Sequence, residues 1–356
     1  MDIKEEVSIV NCRTYNQKEV DRAVEKALGL INFKFRPNSK ILIKPNIVGS
    51  FPKNQAAITT NPAVIESVCK ILKKHNCKIY IGDSPFTNPE QSFKASGINR
   101  LKKYAKIVIF EQEKLTAICD NKAKFLKKFQ IARLVKEVDL IIDMPKLKTH
   151  TLTKFTGAIK NLYGCIPGGL KQKIHNNAHG DKKFSKLLVD IYQNIMPGLA
   201  IMDGIIGMEG DGPTSGEAKK AGLILASKNP VALDIIASKI ISYNPKRIYA
   251  IKEAIKRKLA KRAISIKGMK EIPKIYFKKP TTYQHSRAKK LILKLFKEKP
   301  IVCDTGKCIK CRVCRNHCPK QAISMKPYPE VDKRKCIRCF CCIEICPQNA
   351  MMIKQD

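Results

Sequence analysis

Two short cysteine runs constrain this chain more than any other feature. CIKCRVCRNHCP begins at Cys308 and CIRCFCCIEICP at Cys336, and each spells C-x2-C-x2-C-x3-C-P. Three thiolates on a tight irregular loop reach three corners of one cubane cluster, while the fourth, past a turn, reaches the neighbouring one. The spacing therefore predicts two [4Fe–4S] clusters held crosswise. Cys308, Cys311, Cys314 and Cys346 take one, and Cys336, Cys339, Cys342 and Cys318 the other. Pro319 and Pro347 stop regular structure from continuing directly after the fourth cysteine. Zinc sites use C-x2-C pairs, but the third cysteine and the Cys-Pro ending, present twice, argue against zinc. A disulfide framework belongs to small secreted domains, whereas this chain has 356 residues and a polar opening, MDIKEEV, that resembles neither a signal nor a transit peptide. Cys303 and Cys341 fall outside the ligand pattern, one as a loop residue and the other as a spare thiol beside a cluster.

A chain of this length with 44% hydrophobic residues accommodates one large core and a small appended domain. VSIVNCR reads as a strand and QKEVDRAVEKALGLI as a helix following Asn16. KILIKPNIVG holds a buried strand at Ile41–Ile43. TTNPAVIESVCKILKKHNC is a helix with Asn61 as cap and Pro62 in its first turn. KIYIGDSPF is a strand over Lys78–Ile81, a helix follows over 90–103, and AKIVIFE is the next strand. A helix or loop from Lys124 to Glu137 leads to a strand at Asp139–Asp143 that stops at Pro145. LILAS and NPVALDIIASKII complete the pattern as strand and helix. Strands separated by helices imply βαβ units, so the fold class is α/β with an open, mostly parallel sheet, joined to a small α+β ferredoxin-like domain. The boundaries fall at 1–245 for the sheet domain, 246–300 for a basic tail and bridge, and 301–356 for the cluster domain. The bridge holds 19 Lys/Arg against three acidic residues, and KKLILKLFK at 289–297 has the composition of a short membrane-surface helix.

In open α/β sheets ligands gather at the carboxyl ends of strands. The residues there are polar each time: Lys44 and Asn46, Asp83 and Ser84, then Lys146, Lys148 and His150. Lys160 and Asn161 lie on a short predicted helix, GAIKNLYG. Convergent cations with histidine and hydroxyls suit an anionic or carbonyl-bearing small molecule, with His150, Lys146, Lys148 or Lys160 as proton donor and Asp83 orienting. Asp203, Glu209 and Asp211 sit among five glycines, which predicts a tight loop able to bind a cation or pair with those lysines. Asp234 is polar in an otherwise apolar helix. No G-x-G-x-x-G or Walker A sequence is present, so a nucleotide cofactor is not supported.

The net charge of +39 admits nucleic acid or anionic lipid as partner. Against nucleic acid, the lysines are spread along the whole chain, tryptophan is absent, and no recognised nucleic-acid motif appears. An electron-donor or acceptor protein fits better, because an acidic ferredoxin or flavodoxin is steered by a basic face. No apolar run approaches the roughly 20 residues of a membrane span, and the many free cysteines suit a reducing cytoplasm.

KPNIVG, TTNPAVIESV with IGDSP, MPKLKTH…GAIKNLYGCIPG, and DGIIGMEGDGP with LILASKNPVALD together resemble the DUF362 family of iron–sulfur centre proteins, and CIRCFCCIEICP is similar to that family's usual tail. The resemblance covers roughly 40–245 and the tail, and implies an α/β domain followed by a two-cluster ferredoxin domain. One departure is local: Lys310, Arg312, Arg338 and Phe340 stand where ferredoxin loops frequently carry glycine.

Overall fold

The computed structural model describes residues 4–51, 55–178, 180–261, 263–283 and 300–354. The segment 289–297 lies outside the described residues. Among the described residues ten strands form the main sheet. They are β1 (Glu5–Asn11), β2 (Lys40–Pro45), β3 (Lys78–Asp83), β4 (Lys106–Ile109), β7 (Leu140–Met144), β8 (Lys146–His150), β9 (Lys154–Thr156), β10 (Leu199–Glu209), β11 (Glu217–Ser227) and β12 (Ile264–Lys267). Between β4 and β7, β5 (Leu115–Cys119) and β6 (Lys128–Ala132) form a separate antiparallel hairpin. The spatial order is β12-β1-β11-β10-β7-β2-β3-β4, with β8 and β9 branching from β10. From β10 through β4 every neighbour along this path is parallel, and β11 is antiparallel to both β1 and β10.

The central strands are apolar on both faces, as a sheet covered on both sides requires. Ile41 and Ile43 face one layer and Leu42 the other. The first layer is α1 (Gln17–Leu30) and α3 (Pro62–Lys74), whose Val20, Val24, Val64 and Val68 pack on Ile41, Ile79 and Ile142. Asn16 and Asn61 cap these helices through their side-chain oxygens, and Pro62 occupies the first turn. The second layer holds α8 (Gly180–Ile195) and α9 (Pro230–Ile240), with Leu187, Leu188, Leu233 and Ile236 buried. Among the described residues the sheet domain also holds α2 (Gln55–Ile58), α4 (Pro89–Ala95), α5 (Leu134–Glu137), α6 (Ala158–Asn161), α7 (Gly168–Asn177) and α10 (Tyr249–Lys256).

Four segments differ from their sequence-based expectation. The helix over 90–103 is broken: α4 ends at Ala95, Gly97 takes φ +73°, and a 3-10 turn follows over Ile98–Lys103. The segment expected as helix or loop before Glu137 holds strand β6, and only α5 is helical. Lys146–His150 is itself a strand, because Pro145 ends one ladder and β8 starts another along β10. The glycine-rich stretch is mostly sheet as well. β10 runs through Asp203 to Glu209, and of the five glycines between 204 and 216 only Gly210 has a left-handed φ, +75°.

The C-terminal unit has two small antiparallel pairs. β13 (Ile301–Cys303) pairs with β16 (Met351–Ile353), and β14 (Ile323–Met325) pairs with β15 (Pro329–Val331). Its apolar residues Ile323, Phe340, Cys342 and Ile343 are continuous with the core of the sheet domain.

Candidate functional site

Each cysteine run folds as a loop followed by one helical turn, Val313–Asn316 and Cys341–Glu344. Lys310, Arg312, Arg338 and Phe340 all hold left-handed backbone, with φ of +57°, +61°, +52° and +63°. The geometry usual for glycine is therefore kept without it, at a cost of about 1–2 kcal/mol per residue. Two cavities result. One is lined by Cys308, Cys311, Cys314 and Cys346. The other is lined by Cys318, Cys336, Cys339 and Cys342. Three thiols of each cavity come from one run and the fourth from the other. Backbone N–H groups also point at sulfur: Ala322 donates to Cys318 Sγ at 3.2 Å and Ala350 to Cys346 Sγ at 3.1 Å. This donor set fits iron–sulfur clusters, whose thiolate ligands are stabilised by such bonds. Cys341 lies outside both cavities; its sulfur, that of Cys339 and a ring nitrogen of His175 on α7 lie within 4.8 Å of one another. Cys303 is a strand residue in β13.

A third cavity opens at the carboxyl ends of β2 and β3. Lys44 and Asp83 form its floor as a fully buried pair at 2.7 Å. Asp83 also accepts the backbone N–H groups of Ile47 and Ser84. Gly164 makes room for this pair: a Cβ there would lie 2.3 Å from Asp83 Oδ1. Lys148 reaches in from β8 and donates to Asn46 Oδ1 at 2.6 Å and to the Ile58 carbonyl at 2.8 Å. Lys171, from α7, donates to the carbonyl and hydroxyl of Ser84, whose hydroxyl also bonds Glu111. Burial lowers Lys171 to about 8.

Lys160 and Asn161 arrive on α6, which is fixed from below. Asp234 of α9 accepts the N–H groups of Ala158 and Ile159 at 2.7 and 3.0 Å, and Gly157 leaves space for that carboxylate. Asn161 donates to Asp143 Oδ1 and to the Lys44 carbonyl. Lys160 is half-buried and makes no hydrogen bond or salt bridge among the described residues. Its ammonium is disfavoured by burial, as is that of Lys148, which the charges of Lys160 and Lys146 lower further.

The remaining wall belongs to the cluster unit. Glu344, between Cys342 and Cys346, is buried against Lys148 and Lys160, and burial raises it to about 7 in spite of those lysines. His150 Nε2 lies 3.4 Å from Glu344 Oε1, yet neither atom has a well-directed hydrogen bond. Burial and the adjacent lysines hold the imidazole neutral, so this contact is not an ion pair. Thr214 and Ser215, in the turn between β10 and β11, bond the Glu344 carbonyl and Asn349 and seat the unit on the sheet domain.

The structure thus brings Lys44, Asn46, Asp83, Ser84, Lys148, Lys160 and Asn161 to one cavity and leaves other candidates elsewhere. Lys146 pairs with Asp203 at 2.7 Å beside Tyr15, inside the sheet domain. Glu209 accepts the Lys278 N–H, and Asp211 the N–H and hydroxyl of Thr281, so the three carboxylates do not converge on one another. Lys171, Glu344 and His175 carried no signal in the sequence: each is one polar residue in a segment read for something else.

A doubly covered α/β sheet with an appended two-cage cysteine unit defines an iron–sulfur electron-transfer protein. The family described as "Domain of unknown function (DUF362)" matches residues 41–239, and that described as "4Fe-4S dicluster domain" matches 307–354; the chain belongs to the DUF362 family. Thylakoid-associated protein sll1697 of Synechocystis sp. is 31% identical over 252 residues, which cover 68% of this chain and 76% of that protein. The structure of the lactate racemase apoprotein from Thermoanaerobacterium thermosaccharolyticum superposes with a TM-score of 0.43 at 14% identity. The match covers 67% of this chain and 57% of that one, less than two thirds of its length. Among the described residues no helix is long and apolar enough to cross a membrane.

Proposed function

We propose that this chain is an iron–sulfur oxidoreductase that carries low-potential electrons to a small anionic or carbonyl-bearing substrate in the lysine-lined cavity. Two [4Fe–4S] clusters, held crosswise by the eight cysteines, supply one-electron reducing equivalents when bound. Reduction of a carbonyl to an alcohol takes two electrons and two protons, which matches one electron from each of two clusters. Lys148 and Lys160 attract the anion, with Asn46, Ser84 and Asn161 as hydrogen-bonding neighbours. Lys171, lowered to about 8 by burial, is placed to give a proton near neutral pH. His150, neutral and next to the cavity wall, is placed to take up a proton and pass it on. Asp83 orients Lys44, and Lys146 with Asp203 acts as a positioning pair. An electron-carrier protein completes the system, and a reducing cytoplasmic compartment suits fifteen cysteines.

The observation that carries this reading is Glu344: the unit that cages the clusters supplies one wall of the cavity. The test is an anaerobic preparation titrated with small oxyanions and keto acids while cluster EPR spectra and thermal stability are followed. We expect at least one compound to perturb both, and Lys160→Met to abolish the response. A cluster-loaded protein that answers to none of these compounds sinks the proposal.

A further inference from the structure

The cluster unit presents two unlike faces. The Cys336 run is turned inward: Cys342, Ile343, Glu344 and Ile345 are buried, and Cys339 and Cys341 lie beside His175 of the sheet domain. The Cys308 run is open. Ile309, Lys310, Cys311 and Arg312 are all exposed, and Ile309, a lining residue of its cage, is 60% accessible. Lys307, Lys310 and Arg312 flank it along the chain and Arg315 follows in the next helical turn, all exposed. Only Lys307 has an acidic partner among the described residues, Asp304 at 2.7 Å. Lys310 is exposed, and its Nζ rests 4.6 Å over the Tyr328 ring. The twin positions in the other run show the contrast, since Arg338 is half-buried and Phe340 buried.

We infer that the face from Lys307 to Arg315 is the docking surface for an acidic one-electron carrier protein. The inference rests on the redox reading above and gives it an entry side. An apolar centre over a cage excludes water where two redox centres must approach, and a charged rim orients the encounter. Small, weakly held interfaces of this kind are usual for electron-transfer pairs. One electron passes from the reduced carrier to the oxidised centre in each encounter, and no bond is made or broken. The overall charge of +39 attracts any acidic protein, but fields from distant lysines are screened beyond about 10 Å at 0.1 M salt. The rim therefore decides where the carrier lands.

The test uses the cluster-loaded full chain and a plant-type ferredoxin as the acidic probe. Lys310→Glu with Arg315→Glu alters the rim at two residues that do not line the Cys308 cage. We expect affinity for the probe, and the rate at which the reduced probe passes its electron on, to fall roughly 10- to 100-fold at low salt. The loss should shrink as salt rises, with iron content and absorption unchanged. Lys26→Glu with Lys34→Glu, the same charge change at exposed positions on and after α1, should have little effect. The inference is overturned if the rim variant binds the probe like wild type, if the α1 pair weakens it as much, or if duplex DNA loses affinity in equal measure. Should the rim variant lose iron, Ile309→Ser with clusters intact must weaken the probe several-fold, and an unchanged affinity there also overturns it. A wild-type chain that takes up no clusters removes the redox reading and the docking face together; a carrier result with clusters intact bears on docking alone.

Discussion

Gly164 is the position where the smallest possible addition strikes the cavity floor. A Cβ there would stand 2.3 Å from Asp83 Oδ1 and 2.7 Å from Lys44 Nζ. Both groups are almost wholly buried and lie 2.7 Å apart, and Asp83 is held further by the N–H groups of Ile47 and Ser84. Overpacking alone costs about 1–3 kcal/mol. Removing one partner of a buried ion pair costs about 3–5 kcal/mol, and displacing it a fraction of that. Gly164→Ala should therefore destabilise the sheet domain by about 2–4 kcal/mol, lowering its thermal midpoint by roughly 5–15 °C. Urea unfolding followed by far-UV circular dichroism gives the free energy. The decisive comparison repeats the substitution in a Lys44→Met, Asp83→Asn background, which keeps the volumes and removes the charges. There the cost should be smaller by about 1–2 kcal/mol, the coupling expected of groups in contact. A cost below about 0.5 kcal/mol, or the same cost in both backgrounds, would refute the reasoning.

Lys171 should leave a pH signature. Burial lowers its folded value to about 8 from 10.5, so between these pH values the unfolded chain binds more protons and stability rises with pH, by at most about 1.4 kcal/mol per unit. Denaturant midpoints from pH 7 to 10 should show this slope in wild type and lose it in Lys171→Met; equal slopes contradict the assignment. The crossed cysteine scheme is tested by EPR of single Cys→Ser variants. Cys346→Ser should disturb the signal that Cys308→Ser disturbs, and Cys318→Ser the one that Cys336→Ser disturbs. Pairing within each run instead would overturn it.

The strands and long helices up to Asp83 were legible because their signals are local. Ile41–Ile43 is an apolar run, and Asn61-Pro62 is a helix start that needs no tertiary information. Strand β8 was not, because a reader who stops at Pro145 has no reason to expect a second ladder beginning one residue later. What makes Lys146–His150 a strand is the partner β10, more than fifty residues downstream. The glycines of β10 misled for the opposite reason. Gly207 in the strand and Gly212 in the turn that follows it avoid a Cβ clash with the carbonyl oxygens of Leu147 and Thr149, so both serve close packing against β8. Asp234 was recognisable as unusual, but its role as the acceptor beneath α6 depends on a contact 75 residues away.

The two cysteine runs also show where a duplicated pattern had to lose its symmetry. Shifted onto each other, Cys308 falls on Cys336, and Val313 and Asn316 fall on Cys341 and Glu344. In each run this pair brackets one helical turn, three residues apart and so on a common face. Cys342, inside the second turn, lines a cage, whereas Cys341 and Glu344 meet His175 and the lysine cavity. Ligand spacing alone fixes the cage side of the turn and leaves the other side free. Only the copy that rests on the sheet domain carries a thiol and a carboxylate there. Replacing Glu344 by its twin residue, Glu344→Asn, should then spare iron content and both cluster signals while changing the cavity. With a carboxylate gone from beside Lys148 and Lys160, phosphate used as a probe oxyanion should bind at least about tenfold tighter at pH values above about 7, where Glu344, raised to about 7 by burial, carries its charge, since one charge at contact range near a protein surface is worth about 4 kcal/mol before screening. Unchanged phosphate affinity with intact clusters would mean that this wall, although adjacent to the lysines, plays no part in what the cavity accepts.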